Sequence, residues 1–205
     1  MAMSFRQRIA EELTGPALSF VAFCIALNLT VGQVTAALKI PLYLDSIGTI
    51  LVAVLVGPWS AVLCGSAANI LAAAFGNPTM MFFIPVVVVI GAFTGIIAKL
   101  GWFRKWYLVC LGGVLQGILA ALVSAPISAY LFSGVMMAGT DFLVLYYRSL
   151  GNTLMNSVLF QGLASDPADK LASYLIVFLL IRNLPQRLLA RLHGAAHFRK
   201  SDRTS

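Results

Sequence analysis

Long apolar runs separated by short polar breaks dominate the chain, and they predict helices of membrane-spanning length. The apolar stretches occupy residues 17–38, 42–75, 80–101, 106–133 and roughly 167–184. Crossing a bilayer as an α-helix takes about 20 predominantly apolar residues. These runs are unbroken Leu, Val, Ile and Ala rather than alternating apolar and polar positions, so the pattern favours helices over the strands of a closed barrel.

A Gly-Pro break divides the second run. Gly57-Pro58 interrupts residues 42–75, because proline lacks an N–H and disfavours helical geometry in the residue before it. With further turns at Asn77-Pro78 and from Gly101 to Lys105, the pattern predicts about six membrane segments. Segments 2 and 3 are short for full crossings, which leaves open both a tilted pair and a re-entrant hairpin.

Composition places the whole chain in a membrane. Its 205 residues are 60% hydrophobic and only 10% charged, and the mean hydropathy is +0.92. The prediction is an all-α integral membrane protein that forms one domain, residues 1–205. Within it, residues 1–16 form a cytoplasmic N-terminus, 17–184 the membrane helices and 185–205 a basic cytoplasmic tail.

The basic residues predict which side of the membrane each loop occupies. With both termini inside, eleven of the fourteen lysines and arginines lie on the inner face, which agrees with the positive-inside bias. Only Lys39, Arg148 and Lys170 then fall outside. The basic C-terminal tail is interpreted as meeting anionic membrane lipid rather than nucleic acid.

Sequence motifs of nucleotide or catalytic sites are missing from the chain. It has no H-E-x-x-H, no G-x-S-x-G and no G-x-x-x-x-G-K-[ST]. The chain is therefore predicted not to be an enzyme and to bind no cofactor of its own. Any coupling to ATP would come from other subunits.

Small residues recur at four-residue spacing in three apolar segments, in Ala22-x-x-x-Ala26, Gly91-x-x-x-Gly95 and Gly113-x-x-x-Gly117. Such spacing lets two helix backbones approach closely. Each pair is expected to serve contacts inside the monomer, with the alternative that one of them meets a partner.

The stretch SDPADKLASY, at 165–174, concentrates three charges in an apolar region. Asp166 suits a helix N-cap, Pro167 the first helical position and Asp169 the first turn, so segment 6 is predicted to begin here. Lys170 opposes the helix dipole at such a position. It therefore needs a partner, either a neighbouring aspartate or a bound ligand.

Further polar residues are predicted at the outer mouth. Tyr43 and Asp45 begin segment 2, where Asp45 either faces a cavity or caps the helix. Asn77 lies in an outer turn and is expected to meet solvent or ligand. Asn69 and Gln116 lie deeper in apolar helices and are expected to find interhelical hydrogen bonds.

The connection from 134 to 165 carries apolar residues at helical spacing, which predicts an amphipathic helix over the outer mouth, either a lid or a plain interfacial helix. Together the outer residues would surround a pocket for a small, polar, ring-bearing solute. The predicted binding residues are Tyr43, Asp45, Asn77, Tyr146, Tyr147, Arg148, Asn152, Asp169 and Lys170.

The six-segment layout, the Ala22-x-x-x-Ala26 pair, the stretch KIPLYLDSIGTILVAVLVGPW and the stretch SDPADK resemble a known family. They are similar to the substrate-binding S components of energy-coupling factor (ECF) transporters, and most similar to a vitamin-uptake group. The resemblance covers nearly the whole chain.

The resemblance implies a prokaryotic inner-membrane subunit that captures a vitamin or related micronutrient from outside. It implies delivery inward with a separate T component and two cytoplasmic ATPases, which bind the ATP. It assigns contact with the T component to Ala22 and Ala26, and ligand contact to Lys170, Asn77 and the 141–161 connection. The alternatives are a stand-alone secondary transporter or facilitator, and a membrane scaffold or sensor subunit.

Overall fold

The computed structural model describes residues 12–134, 139–192 and 194–195, and the regular elements within these ranges are helices. The α-helices are α1 (Gly15–Ala37), α2 (Ile47–Leu55), α3 (Pro58–Ala74), α4 (Ile84–Lys99), α5 (Trp106–Phe132), α6 (Asp141–Ser149), α7 (Leu154–Asn183) and α8 (Gln186–Leu189). Short 3₁₀ helices cover Pro78–Phe83 and Trp102–Arg104. The predicted all-α fold is confirmed.

Membrane-spanning length is evident in three helical stretches of the described chain, Gly15–Ala37, Pro78–Lys99 and Trp106–Phe132. The apolar helix α3 is shorter. Large apolar side chains such as Phe23, Leu122 and Leu179 are exposed on the outside of the bundle. Such side chains are stable against lipid tails, which confirms the prediction of a membrane protein.

Helix α2 is too short to cross a bilayer and lies inside the bundle. Its nine residues are all buried, and at 1.5 Å per residue they extend about 14 Å, against a hydrocarbon core of about 30 Å. Gly57 and Pro58 end it and start α3, so the predicted break is confirmed. Residues 38–46 lead the chain into α2.

The bundle has two distinct ends. The first, the cavity end, holds the connections 38–46 and 75–83 and residues 133–134 and 139–140. The opposite end, the basic end, holds Lys99, Arg104, Lys105, Arg182, Arg187 and Arg191. The other basic residues predicted on that side, Arg6, Arg8, Arg199, Lys200 and Arg203, lie outside the described residues.

At the basic end, a buried carboxylate joins the N-terminal segment to α3. Glu12 is 7% exposed, and its carboxylate accepts a hydrogen bond from the Ser60 backbone N–H at 3.0 Å. Lys99 lies 3.9 Å away. A carboxylate at a helix N-terminus satisfies an otherwise unpaired N–H and favours the helix dipole. Glu12 thus stabilises the start of α3 from a distant part of the sequence.

The predicted start of segment 6 at Asp166 is wrong. Helix α7 begins twelve residues earlier, at Leu154, where the Thr153 side chain accepts a hydrogen bond from the Asn156 N–H. Pro167 lies inside this helix. Proline is tolerated within membrane helices, where packed neighbours compensate for the lost hydrogen bond. Here the Gly117 backbone packs directly against Pro167.

The predicted amphipathic connection is only partly correct. Its first part forms the short helix α6, which buries Val144. A turn at Gly151, with φ of +87°, then separates α6 from α7. The apolar repeat continues from 143 to 158 across this turn, so its second half belongs to α7 and not to a single surface helix.

The small-residue pairs divide into two kinds. Gly113 and Gly117 of α5 lie against the backbone of α7, and Gly91 and Gly95 of α4 lie against α3, so these pairs serve contacts inside the chain. Ala22 and Ala26 of α1 are exposed instead. Of the three pairs, only the α1 pair is available to a partner.

Candidate binding cavity

A cavity of about 470 Å³ opens at the cavity end. Its walls come from α1, the 38–46 connection, α3, α4, α5 and α7. Side chains with amide or hydroxyl groups interrupt a largely apolar lining that includes Phe75, Phe83 and Ile90. A volume between about 300 and 1,000 Å³ with few polar groups is typical of small-molecule sites.

Asn28 of α1 positions the first turn of α2 beside this cavity. Its side-chain oxygen accepts a hydrogen bond of 2.6 Å from the Gly48 N–H, and its amide donates to Thr49 Oγ1 at 2.9 Å. Gly48 has no side chain, which allows the backbones of α1 and α2 to meet there. Asn28 therefore supplies the cap that α2 would otherwise lack.

Four charged residues form a cluster on the inner wall of the cavity: Asp45, Asp166, Asp169 and Lys170, which we call the charge cluster. Lys170 Nζ lies 2.6 Å from Asp169 Oδ2 and 3.8 Å from Asp45 Oδ1. It also donates to Ser46 Oγ at 2.9 Å. Asp166 accepts a hydrogen bond from Ser165 Oγ at 3.3 Å. The cluster thus joins the start of α2 to the middle of α7.

Asp169 holds the 38–46 connection in place. Its Oδ1 atom accepts backbone hydrogen bonds from Tyr43 at 2.9 Å and from Leu44 at 2.8 Å. Leu44 has a φ of +51°, a conformation unfavourable for a residue with a side chain. The two hydrogen bonds stabilise that strained turn and so determine where the chain enters α2.

Tyr43 lines the cavity and links three parts of the chain. Its hydroxyl lies 2.7 Å from Thr140 Oγ1 and 3.5 Å from Gln161 Nε2, which donates to it. Gly139 packs against the backbone of Lys39 and Ile40. These contacts close one side of the mouth with the two connections that precede α2 and α6.

The pKa values of two ionisable groups in the 38–46 connection are shifted by their surroundings. Burial raises the pKa of the Tyr43 hydroxyl, so this group is neutral at physiological pH. Burial also raises the pKa of Asp45, and the Lys170 ammonium opposes that rise. About a third of the Asp45 side chain, 32%, remains exposed, and Asp45 lines the cavity.

The structure brings five of the nine predicted binding residues together. Tyr43, Asp45, Asn77 and Lys170 line the cavity, and Asp169 lies directly behind them against Lys170. Lys170 pairs with a neighbouring aspartate, as the first alternative predicted, and it also lines the cavity, so its contact with a ligand stays a prediction. The N-cap of α2 is Ser46 and not Asp45, so the capping interpretation of Asp45 is wrong.

The other four predicted binding residues do not line this cavity. Tyr146, Tyr147 and Arg148 belong to α6, and Asn152 to the turn after it. Tyr146 is 57% exposed, and the Asn152 amide donates to the Tyr147 backbone carbonyl at 3.0 Å. The aromatic rings of this helix pack on one another and on Phe160.

Several cavity residues are not among the predicted binding residues. Asn28, Ser124, Ser128 and Asp166 line the cavity, as does Gln161, which ends the 141–161 connection to which the resemblance assigns ligand contact. Each is a polar residue within an apolar helix, and such residues usually face a cavity or a partner in a membrane protein. That signal is present in the sequence, but Asp166 also matches the local pattern of a helix N-cap.

The buried side-chain amides of Asn69 and Gln116 differ in their hydrogen bonding. Asn69 donates to the Met80 backbone carbonyl at 3.0 Å and lines the cavity, as expected for a buried amide. Gln116 is 0% exposed, and neither end of its amide has a hydrogen-bond partner among the described residues. The interhelical bond expected for Gln116 is therefore not formed there.

Metal binding has no visible basis in the part of the chain that the structure describes, because no three histidine, cysteine or acidic residues there form a potential metal-binding group. The arrangement instead suits non-covalent binding of an organic solute. The lining combines hydrogen-bonding and charged groups with apolar and aromatic side chains.

Comparison with known proteins finds a family model that matches most of this chain. A family model described as "ECF transporter, substrate-specific component" matches residues 17–192, which include every residue of the charge cluster. No significant match was found among curated proteins or among solved structures.

Proposed function

We propose a function for this chain from the family to which it belongs, the substrate-specific components of ECF transporters. The chain is a transporter subunit of the membrane and not an enzyme. In our proposal it captures a vitamin or related micronutrient from outside a prokaryotic cell, with both termini in the cytoplasm. A separate T component and two cytoplasmic ATPases then complete its delivery inward.

The cavity is the observation that carries this proposal. It lies at the cavity end of the bundle, and it combines a small-molecule volume with polar and charged side chains in a largely apolar lining. Six of the nine described lysines and arginines lie at the opposite end, whereas Lys39 and Arg148 lie at the cavity end and Lys170 in the charge cluster. Since basic residues favour the cytoplasmic side, this supports an outward-facing cavity.

The exposed surface of α1 supports the proposal that a partner subunit contacts this chain. Ala22 and Ala26 are exposed one turn apart, and two small residues at this spacing allow close approach of another membrane helix. Within the chain, the glycine pairs already supply the close contacts between helices. We propose that the α1 pair meets the T component.

Purification of the tagged full-length chain from its native host tests the proposal. We expect a T component and two ATPases to copurify, and mass spectrometry of the preparation to identify a bound micronutrient at a 1:1 ratio. Uptake of that solute should stop when the T component is deleted. A chain that copurifies with neither partners nor solute would contradict the proposal.

A second candidate is a stand-alone secondary transporter, which the buried carboxylates favour. Asp166 is 7% exposed and Asp169 0% exposed, and membrane-buried acids are typical of ion-coupled transport. The sequence alone had indicated only Asp45 as such a residue. Uptake into liposomes that contain this chain alone, driven by a cation gradient, would support this candidate over the first.

A further inference from the structure

The charge cluster has more negative than positive groups. Asp45, Asp166 and Lys170 line the cavity, and Asp169 lies behind Lys170. Among the described lining residues, Lys170 is the only one with a basic side chain. Three carboxylates therefore share one ammonium on this wall. A charge taken out of water is stable only when an opposite charge or hydrogen bonds compensate it.

Lys170 is already engaged by the carboxylate behind it. Its shortest contact is with Asp169, at 2.6 Å, and its second hydrogen bond is donated to Ser46. Asp169 in turn accepts two backbone N–H groups, so its charge is well compensated. The ammonium is farther from Asp45, at 3.8 Å. The Lys170 ammonium is thus paired mainly with Asp169, the carboxylate that does not line the cavity.

The two cavity-lining carboxylates are less well compensated. Asp166 is 7% exposed and accepts a hydrogen bond from the neighbouring Ser165 hydroxyl. Asp45 keeps 32% of its side chain exposed. A positive group in the cavity would compensate both charges, whereas a negative group would add a third charge of the same sign to this wall.

A second observation, independent of the acids, points to a polar ligand. Ser128 of α5 lines the cavity and is 2% exposed, yet its hydroxyl has no hydrogen-bond partner among the described residues. Buried hydroxyls are usually hydrogen-bonded. An occupant of the cavity would supply the missing partner.

The rest of the cavity lining suits an apolar or aromatic part of a ligand. Tyr43, Phe75 and Phe83 contribute rings to the lining, and aromatic faces attract cations as well as other rings. The amides of Asn28, Asn69 and Gln161 add neutral hydrogen-bonding groups. The lining therefore combines rings, amides and an excess of carboxylates.

From these observations we infer that the substrate carries a positive charge, on a protonated or quaternary nitrogen, which binds between Asp45 and Asp166 while its ring or apolar part contacts the aromatic walls. This inference rests on the proposed function, because it assigns the substrate class of the same cavity. The inference favours micronutrients with a cationic group as substrates over anionic ones such as carboxylates and phosphates.

Three small probes of nearly equal shape test the charge preference directly. Benzamidine is cationic at neutral pH, benzamide is neutral and benzoate is anionic. Binding to the purified full-length chain in detergent is measured by ligand-observed NMR and by calorimetry. We expect benzamidine to bind at least about tenfold more tightly than benzamide, a difference of about 1.4 kcal/mol, and benzoate to bind more weakly than benzamide.

Variants locate the preference on the charge cluster. Asp166→Asn and Asp45→Asn should each weaken benzamidine binding at least about fivefold and leave benzamide binding unchanged, which also verifies the fold. Asp141→Asn, on α6 and outside the lining, is the matched control and should change neither affinity. Having two separate variants keeps the test decisive if one of them does not fold.

The results decide between clear outcomes. Equal affinity for the three probes, a preference for benzoate, or no binding of any probe would overturn the inference. So would a benzamidine preference that survives in both variants. If the chain prefers benzoate but copurifies with the T component, the inference is contradicted and the proposed function is still supported. If the chain prefers benzamidine but copurifies with no partner, the inference of a cationic substrate is still supported and the proposed function is contradicted.

Discussion

Lys170 lies near the middle of α7, and its ammonium is compensated by residues far away in the sequence as well as by its neighbour. Asp169 precedes it directly, whereas Ser46 and Asp45 approach it from the start of α2. A buried ionised group is stable only with partners on several sides. The same contacts position the 38–46 connection, since Asp169 binds both the ammonium and that backbone.

Lys170→Met should therefore destabilise the chain strongly. Asp169 is 0% exposed, and removing one partner of a buried ion pair costs about 3 kcal/mol or more, because the other charge is left without compensation. We expect a clearly lower thermal unfolding midpoint for the purified variant in detergent.

Lys99→Met is the control for this change. Lys99 also lies near a carboxylate, at 3.9 Å from Glu12, but 61% of its side chain is exposed. Exposed ion pairs contribute about 0–1 kcal/mol. If the two variants unfolded at the same temperature, Lys170 would not be the stabilising centre of the cluster.

At the scale of elements, the contact between α5 and α7 is the most extensive one between described helices. It depends on Gly113 and Gly117, whose missing side chains allow the backbone of α7 to approach. Pro167 lies in α7 opposite Gly117, so the helix containing the proline is supported by a neighbour. Asp166, Asp169 and Lys170 lie in the same part of α7, and this packing therefore positions the charge cluster.

Gly117→Ala should separate these two helices. The new methyl group would overlap the Pro167 backbone, which cannot move without shifting α7. Overpacking of a well-packed contact costs about 1–3 kcal/mol, and we expect a lower unfolding midpoint together with weaker solute binding. Gly15→Ala is the control, because nothing lies within 4 Å of the added atom. Unchanged stability in Gly117→Ala would contradict this account of the packing.

At the scale of the whole molecule, binding and partner contact are assigned to different surfaces. The cavity is enclosed by several helices and connections, while Ala22 and Ala26 face outward on α1. A change on that outer surface leaves the cavity lining intact. Solute binding and transport should therefore be separable by mutation.

Ala22→Leu and Ala26→Leu should retain solute affinity but abolish uptake in cells, because a bulky side chain prevents close approach of the T component. Binding is measured on the purified chain and uptake in a host that carries the partners. Ala164→Leu and Ala168→Leu are matched controls, since these alanines have the same spacing and are exposed on α7. Normal uptake in both α1 variants, or equal loss in the α7 variants, would contradict the assignment to α1.

Features that depend on local chemistry could be predicted from the amino-acid sequence. Apolar runs and their breaks predicted an all-helical membrane protein with a division at Gly57-Pro58, because helix length and proline geometry are properties of neighbouring residues. The sequence also indicated Tyr43, Asp45, Asn77 and Lys170 as residues of one pocket. Costly polar groups in an apolar chain need a cavity or a partner, and that requirement is visible without a structure.

The start of α7 and the groups that compensate each charge follow from how the helices pack in three dimensions. Asp166 and Pro167 resemble a helix start locally, but the packing of Gly117 against Pro167 allows the helix to continue through them. Ser46 and Lys170 are 124 residues apart, and they meet because α2 is short and enclosed by the other helices. Contacts of this kind depend on how helices pack, which no pattern along a single segment contains.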